Sequence, residues 1–169
     1  PSDRYTLVIW NHGNGWMRGK DDDEATRGLS YDDATGNAIQ TWELSQALQG
    51  LGIDILAMDC SLMQMSEVVY EMRNQVPLVA GSEESPPGEG YPYQRVFAPF
   101  RDNPDASSIA LSKGFVDGML AEPNYVNRKI TQSVVETARL RDVATAATAL
   151  ANALRAHPEL ASQIQSARL

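Results

Sequence analysis

Ile53-Asp54-Ile55-Leu56-Ala57-Met58-Asp59-Cys60-Ser61-Leu62-Met63-Gln64-Met65-Ser66-Glu67 is the stretch that decides the fold. Its first six residues form a short apolar run after Leu51-Gly52, the pattern of a strand buried on both faces of a parallel sheet. Polarity returns at Asp59-Cys60-Ser61, and apolar residues resume at Leu62, Met65, Val68, Val69 and Met72 with helical spacing. The spacing predicts that a helix begins where the strand ends. Open α/β sheets gather their chemistry at the carboxyl ends of strands, and a helix N-terminus there would favour an anion or a thiolate. By itself the segment also reads as a buried cysteine at a strand end followed by a serine N-cap.

Working outward, Tyr5-Thr6-Leu7-Val8-Ile9-Trp10 reads as an earlier strand, and it ends in Asn11-His12-Gly13-Asn14-Gly15-Trp16. A second strand end therefore delivers a histidine. Acyl transfer through Cys or Ser needs a base within hydrogen-bond reach and backbone N–H groups aimed at the developing oxyanion. Gly13, without a Cβ, lets the backbone come close to a substrate carbonyl. A lone histidine at a strand end is also compatible with a structural role.

Together these segments resemble the clostripain family of cysteine peptidases, relatives of the caspases and gingipains. Leu7 to Gly15 is similar to the family's histidine motif and Asp54 to Glu67 to its nucleophile motif. Val79 to Tyr93, which includes Glu83 and Tyr91, is similar to its pocket loop. The family's usual nucleophile motif is Asp-Ala-Cys-Leu-Met. Aligning Asp59, Leu62 and Met63 with it places Cys60 on the alanine and Ser61 on the nucleophile. Three explanations stand open: a Cys→Ser replacement that silences the enzyme, a natural loss of activity, or a one-residue shift that makes Cys60 the nucleophile.

The resemblance implies a caspase-like, three-layer α/β/α sandwich with a mostly parallel sheet and cleavage after Arg or Lys. His12 would be general base and acid, and the Gly13 amide would help hold the oxyanion. Asp59 would pair with the substrate's cation, with Glu83 and Tyr91 beside it. It also implies a bacterial protein that is secreted or periplasmic, a zymogen that processes itself, and possible use of calcium. Arg18, Lys20 and Arg27 lie in the polar segment Met17 to Asp33 and are the candidate self-cleavage points; otherwise that segment reads as an exposed loop. A catalytically dead module that binds basic peptides is the alternative function.

The 169 residues suit one domain with an appendage: a peptidase core at 1–126 and a mostly helical extension at 127–169, the whole reading as a fragment of a longer protein. At 21% charged and 43% hydrophobic residues the composition is that of a soluble globular chain. A net charge of −8 argues against nucleic acid and anionic membranes, and suits basic peptide substrates. One cysteine excludes an internal disulfide, and no apolar run is long enough to span a bilayer. No metal-ligand cluster is evident: Asp21-Asp22-Asp23 lacks the spaced ligands of an EF-hand loop.

The remaining elements follow from periodicity. A helix of about three turns is expected over Thr41 to Leu51, a strand over Leu78 to Gly81, and a short helix over Gln94 to Phe100. Helices are expected over Ala106 to Leu120 and Leu140 to Leu154, a strand within Tyr125 to Glu136, and a short helix after Pro158. His157, far from any motif, reads as a linker residue.

Overall fold

A computed structural model describes residues 2–16 and 28–167. The chain divides into two compact units, residues 1–138 and 139–169.

The first unit is built on a four-stranded sheet. Strand β1 (Thr6–Trp10) pairs in parallel with the fourth strand in the chain, β4 (Ile55–Asp59), which pairs in parallel with β5 (Leu78–Gly81). β6 (Ser133–Glu136) closes the far side antiparallel to β5. The apolar run marks the centre: every residue of β4 and β5 is buried, whereas β1, at the edge, is only half-buried. Burying a Leu or Met side chain of this kind contributes about 1.5–3 kcal/mol.

Helices α1 (Thr41–Ala47) and α2 (Ser66–Met72) lie in the two parallel crossovers and pack on one another. Right-handed crossovers place both on one face of the sheet. Two short helices, α3 (Tyr93–Val96) and α4 (Ala98–Asp102), and the longer α5 (Ser108–Leu120) follow β5. Helix α5 packs on β4, β5 and β6, where Ile55, Ala57, Leu78 and Ala80 meet Val96, Phe115 and Met119. The result is a mixed α/β fold with three layers, as the alternation of strand and helix patterns leads one to expect.

Four differences from the sequence expectations have physical causes. The helix after Ser61 starts at Ser66, because Leu62 takes a left-handed φ of 65° and the Leu62 and Gln64 amides donate to Glu84 and Ser82 carbonyls. The backbone from 61 to 65 is thus tied to the neighbouring loop instead of coiling. Helix α1 is two turns, not three, ending before Gly50 at φ 76°. The polar segment does not stay a loop to Asp33: Leu29–Asp32 (β2) and Asn37–Ile39 (β3) form an antiparallel hairpin, with Leu29 fully buried. Asp32 closes its turn by accepting from the Ala34 amide and the Thr35 hydroxyl. The strand expected in Tyr125 to Glu136 occupies only its last four residues, and the sheet therefore runs on past residue 126.

The second unit consists of α6 (Leu140–Arg155), a 3₁₀ turn at Pro158–Leu160 and α7 (Ala161–Ala167). His157 is exposed and its Nδ1 lies 2.9 Å from Glu159 Oε1.

Candidate active site

The β1–β4 register pairs Trp10 with Asp59. Continuing both chains by two residues brings His12 level with Ser61. All four residues, with Asn11, Cys60, Pro86, Pro87, Gly88 and Gly90, line one cavity of about 250 Å³ at the carboxyl end of the sheet. His12 is exposed, and its amide donates to its neighbour's Asn11 Oδ1 at 2.6 Å.

Gly13 sits where only glycine fits: a Cβ there would stand 2.6 Å from the Ser61 carbonyl oxygen and 2.7 Å from Met63 Cγ. Its bridge to Leu29 is held by the Asn14 amide on Gly28 O and the Ser30 amide on His12 O. In such a bridge the Gly13 N–H is turned away from the hairpin. The histidine loop is therefore clamped between the hairpin and the Ser61 to Met63 backbone.

Cys60 and Ser61 follow the last residue of β4, and both border the cavity with Asp59. Cys60 is buried, while Ser61 is partly exposed. Burial, reinforced by the Asp59 carboxylate, pushes the Cys60 thiol up to about 12. A thiol that stays protonated is inert, and Cys60 is the more buried of the two. Immediately after Ser61, Leu62 holds a left-handed conformation that costs about 1–2 kcal/mol in a non-glycine residue. Strain of this kind clusters at functional sites.

Asp59 is 3% exposed. Its Oδ2 accepts from the Tyr91 amide at 2.8 Å and from the Tyr93 hydroxyl at 2.9 Å, while Oδ1 has no protein donor among the described residues. Burial raises its carboxyl above the ordinary carboxylate range, and those two donors pull it partly back. Gly90, at φ 77°, makes the approach feasible, since a Cβ there would lie 2.8 Å from Asp59 Oδ2.

Tyr91, expected as a pocket wall, is instead buried beneath the cavity. Its hydroxyl donates to Met58 O at 2.9 Å and accepts from Gln132 Nε2 at 2.8 Å. The Tyr125 hydroxyl donates to Gly90 O, and the Thr131 hydroxyl accepts from the Glu83 and Glu84 amides. Residues 125–132 thus hold the 82–91 loop against β4, a role that nothing in their own composition signals. Glu83 is exposed and does not line the cavity. Trp10, Pro86 and Pro87 do line it, and sequence reading had assigned the tryptophan no role. Arg18, Lys20 and Arg27 lie outside the described residues. So does Asp21 to Glu24; among the described residues no group of three or more His, Cys, Asp or Glu side chains fits calcium.

The mostly parallel α/β fold is shared with solved cysteine proteases of the C11 type. A secreted C11 protease from Bacteroides thetaiotaomicron, solved with an irreversible peptide inhibitor, is 26% identical, with a TM-score of 0.65 over 86% of this chain and 43% of its own. An inactive zymogen C11 protease from Parabacteroides distasonis is also 26% identical, with a TM-score of 0.64 over 86% and 37%. Clostripain of Hathewaya histolytica is 28% identical over 108 residues, 57% of this chain and 20% of clostripain. The family model of the clostripain family matches residues 1–167, and the chain belongs to that family of cysteine peptidases. It spans less than half the length of these two solved relatives and a fifth of clostripain.

Proposed function

We propose that this chain carries the catalytic cleft of an endopeptidase that cuts after Arg or Lys, and that residue 61 is the nucleophile position, occupied here by serine. The observation that supports this most is the buried Asp59, one carboxylate oxygen fixed by Tyr91 and Tyr93 and the other without a protein donor among the described residues, in a cavity shared with His12 and Ser61. A carboxylate held this way binds a guanidinium or ammonium group and little else of comparable size. His12 would take the nucleophile's proton as residue 61 attacks the scissile carbonyl carbon. The Gly13 amide would hold the oxyanion, and His12 would return the proton to the leaving amine before water releases the acyl group.

Serine in this position favours a second reading, a module that binds basic peptides without cutting them, because a hydroxyl is a much weaker nucleophile than a thiolate. Hydrolysis of Arg, Lys, Ala and Asp reporter peptides by the Ser61→Cys chain tests the first reading. Arg and Lys reporters are expected to be cut and the others spared; equal rates for Ala and Arg would remove Asp59 from the specificity role.

The same pocket suits self-processing after Arg18 or Lys20, with Arg27 as competitor because Asp21 to Glu24 follows Lys20 directly. Intact mass of the Ser61→Cys chain, with and without His12→Ala, reports it. Secretion or a periplasmic location follows from likeness to a relative described as secreted, and calcium use from family resemblance alone.

A further inference from the structure

We propose that Trp10 is a specificity-determining residue of the cleft, its indole face forming the wall on which a substrate's arginine side chain lies while the guanidinium meets Asp59. The inference rests on the reading of a cleft for basic side chains and adds a preference for Arg over Lys.

Trp10 ends β1 with 66% of its surface exposed, an unusual setting for the largest apolar side chain. Its register partner is Asp59. The point where a Gly90 Cβ would stand lies 2.8 Å from Asp59 Oδ2, 3.0 Å from Trp10 Nε1 and 3.4 Å from Trp10 Cδ1. The carboxylate oxygen and the indole nitrogen are therefore less than about 6 Å apart, so the two groups flank the same stretch of the cleft. Gly90 packs against both groups, and a side chain there would crowd each of them.

The cavity lining supplies what an arginine side chain asks for. Trp10, Pro86 and Pro87 give apolar surface for the methylene stem, and among the described residues Asp59 is the one carboxylate that lines the cavity. Trp10 is also the one aromatic side chain there, and its N–H has no protein partner among the described residues. A planar guanidinium stacks on an indole and still presents a fork to the carboxylate, whereas an ammonium pairs with the carboxylate but gains less from the ring.

The test uses the full chain with Ser61 in place, so that binding is measured without turnover. Calorimetric titration compares acetyl-Ala-Arg-amide with the same peptide carrying Lys, citrulline or Ala, on the unchanged chain and on Trp10→Leu, Trp10→Phe and Asp59→Asn. Trp10→Leu is expected to weaken the Arg peptide about five- to tenfold and the Lys peptide less than about threefold, with Trp10→Phe keeping most of the Arg affinity. Equal weakening of all four peptides, or none for Arg while Asp59→Asn abolishes its binding, overturns the role of Trp10 and leaves the basic cleft standing. If the unchanged chain binds Arg, citrulline and Ala peptides alike, the basic cleft falls and this inference falls with it.

Discussion

Asp59 is 3% exposed and Trp10, its register partner one strand away, is 66% exposed, although both line the same cavity. At the end of β4 the carboxylate is dry and held by two donors, and the loop that supplies them is tied down by Tyr125, Thr131 and Gln132. At the end of β1 the indole and His12 are open to solvent. The difference fits the division of labour proposed for the two strand ends. A group that selects a charge gains from a fixed, desolvated setting, where its attraction for a cation is strong. A group that passes protons to and from a substrate must stay accessible.

The largest test of that division exchanges the nucleophile. Ser61→Cys is expected to raise kcat/KM on an Arg reporter by about a thousandfold or more, because a thiolate replaces a hydroxyl. Adding Cys60→Ala should leave the gain within about threefold, since Cys60 is buried and protonated at every working pH. Loss of the gain in the double variant would shift the nucleophile back by one residue.

Next comes Asp59→Asn. Removing one partner of a desolvated charge pair costs about 2–5 kcal/mol, so kcat/KM for Arg reporters should fall at least about thirtyfold while Ala reporters change little. Burial raises the Asp59 carboxyl, so the ionised form that a cationic substrate pairs with is reached at a higher pH than for an ordinary carboxylate. Affinity for Arg reporters should therefore rise with pH through and above the ordinary carboxylate range, and Asp59→Asn should flatten that profile. The same raised carboxyl contributes stability below the unfolded value and loses it as pH rises through the folded one. The Asn variant is accordingly expected to match or exceed the parent's stability at neutral pH.

The smallest effects compare the two ends by stability alone. Tyr91→Phe removes the partner of the Met58 carbonyl and of Gln132 Nε2, and should cost about 1–3 kcal/mol in denaturant unfolding. His12→Ala, an exposed change, should stay within about 0.5 kcal/mol. A larger loss for His12→Ala would break the contrast between the two ends.

Sequence and structure agree most closely where burial is strongest. Leu78–Gly81 and the strand ending at Asp59 were legible because a sheet buried on both faces leaves a continuous apolar run. That His12 and Ser61 border one cavity was legible from the order of motifs. The hairpin at Leu29–Asp32 was not, because Leu29 is a single apolar anchor in a polar stretch and the turn chemistry of Asp32 to Gly36 is local. The hold of Thr131 and Gln132 on the 82–91 loop was equally hidden: hydrogen bonds between residues 47 and 41 positions apart leave no periodicity behind. Trp10 looked like the end of a strand, and only its exposure beside Asp59 marks it as more.

Cys60 has a use that has nothing to do with peptide cleavage. It is the chain's one cysteine, buried just past the end of β4 with its thiol held at about 12. An alkylating reagent can meet it as a thiolate only when the end of β4 has opened to solvent. The rate at which the unaltered chain takes up such a label is thus a stopwatch on the breathing of its innermost strand.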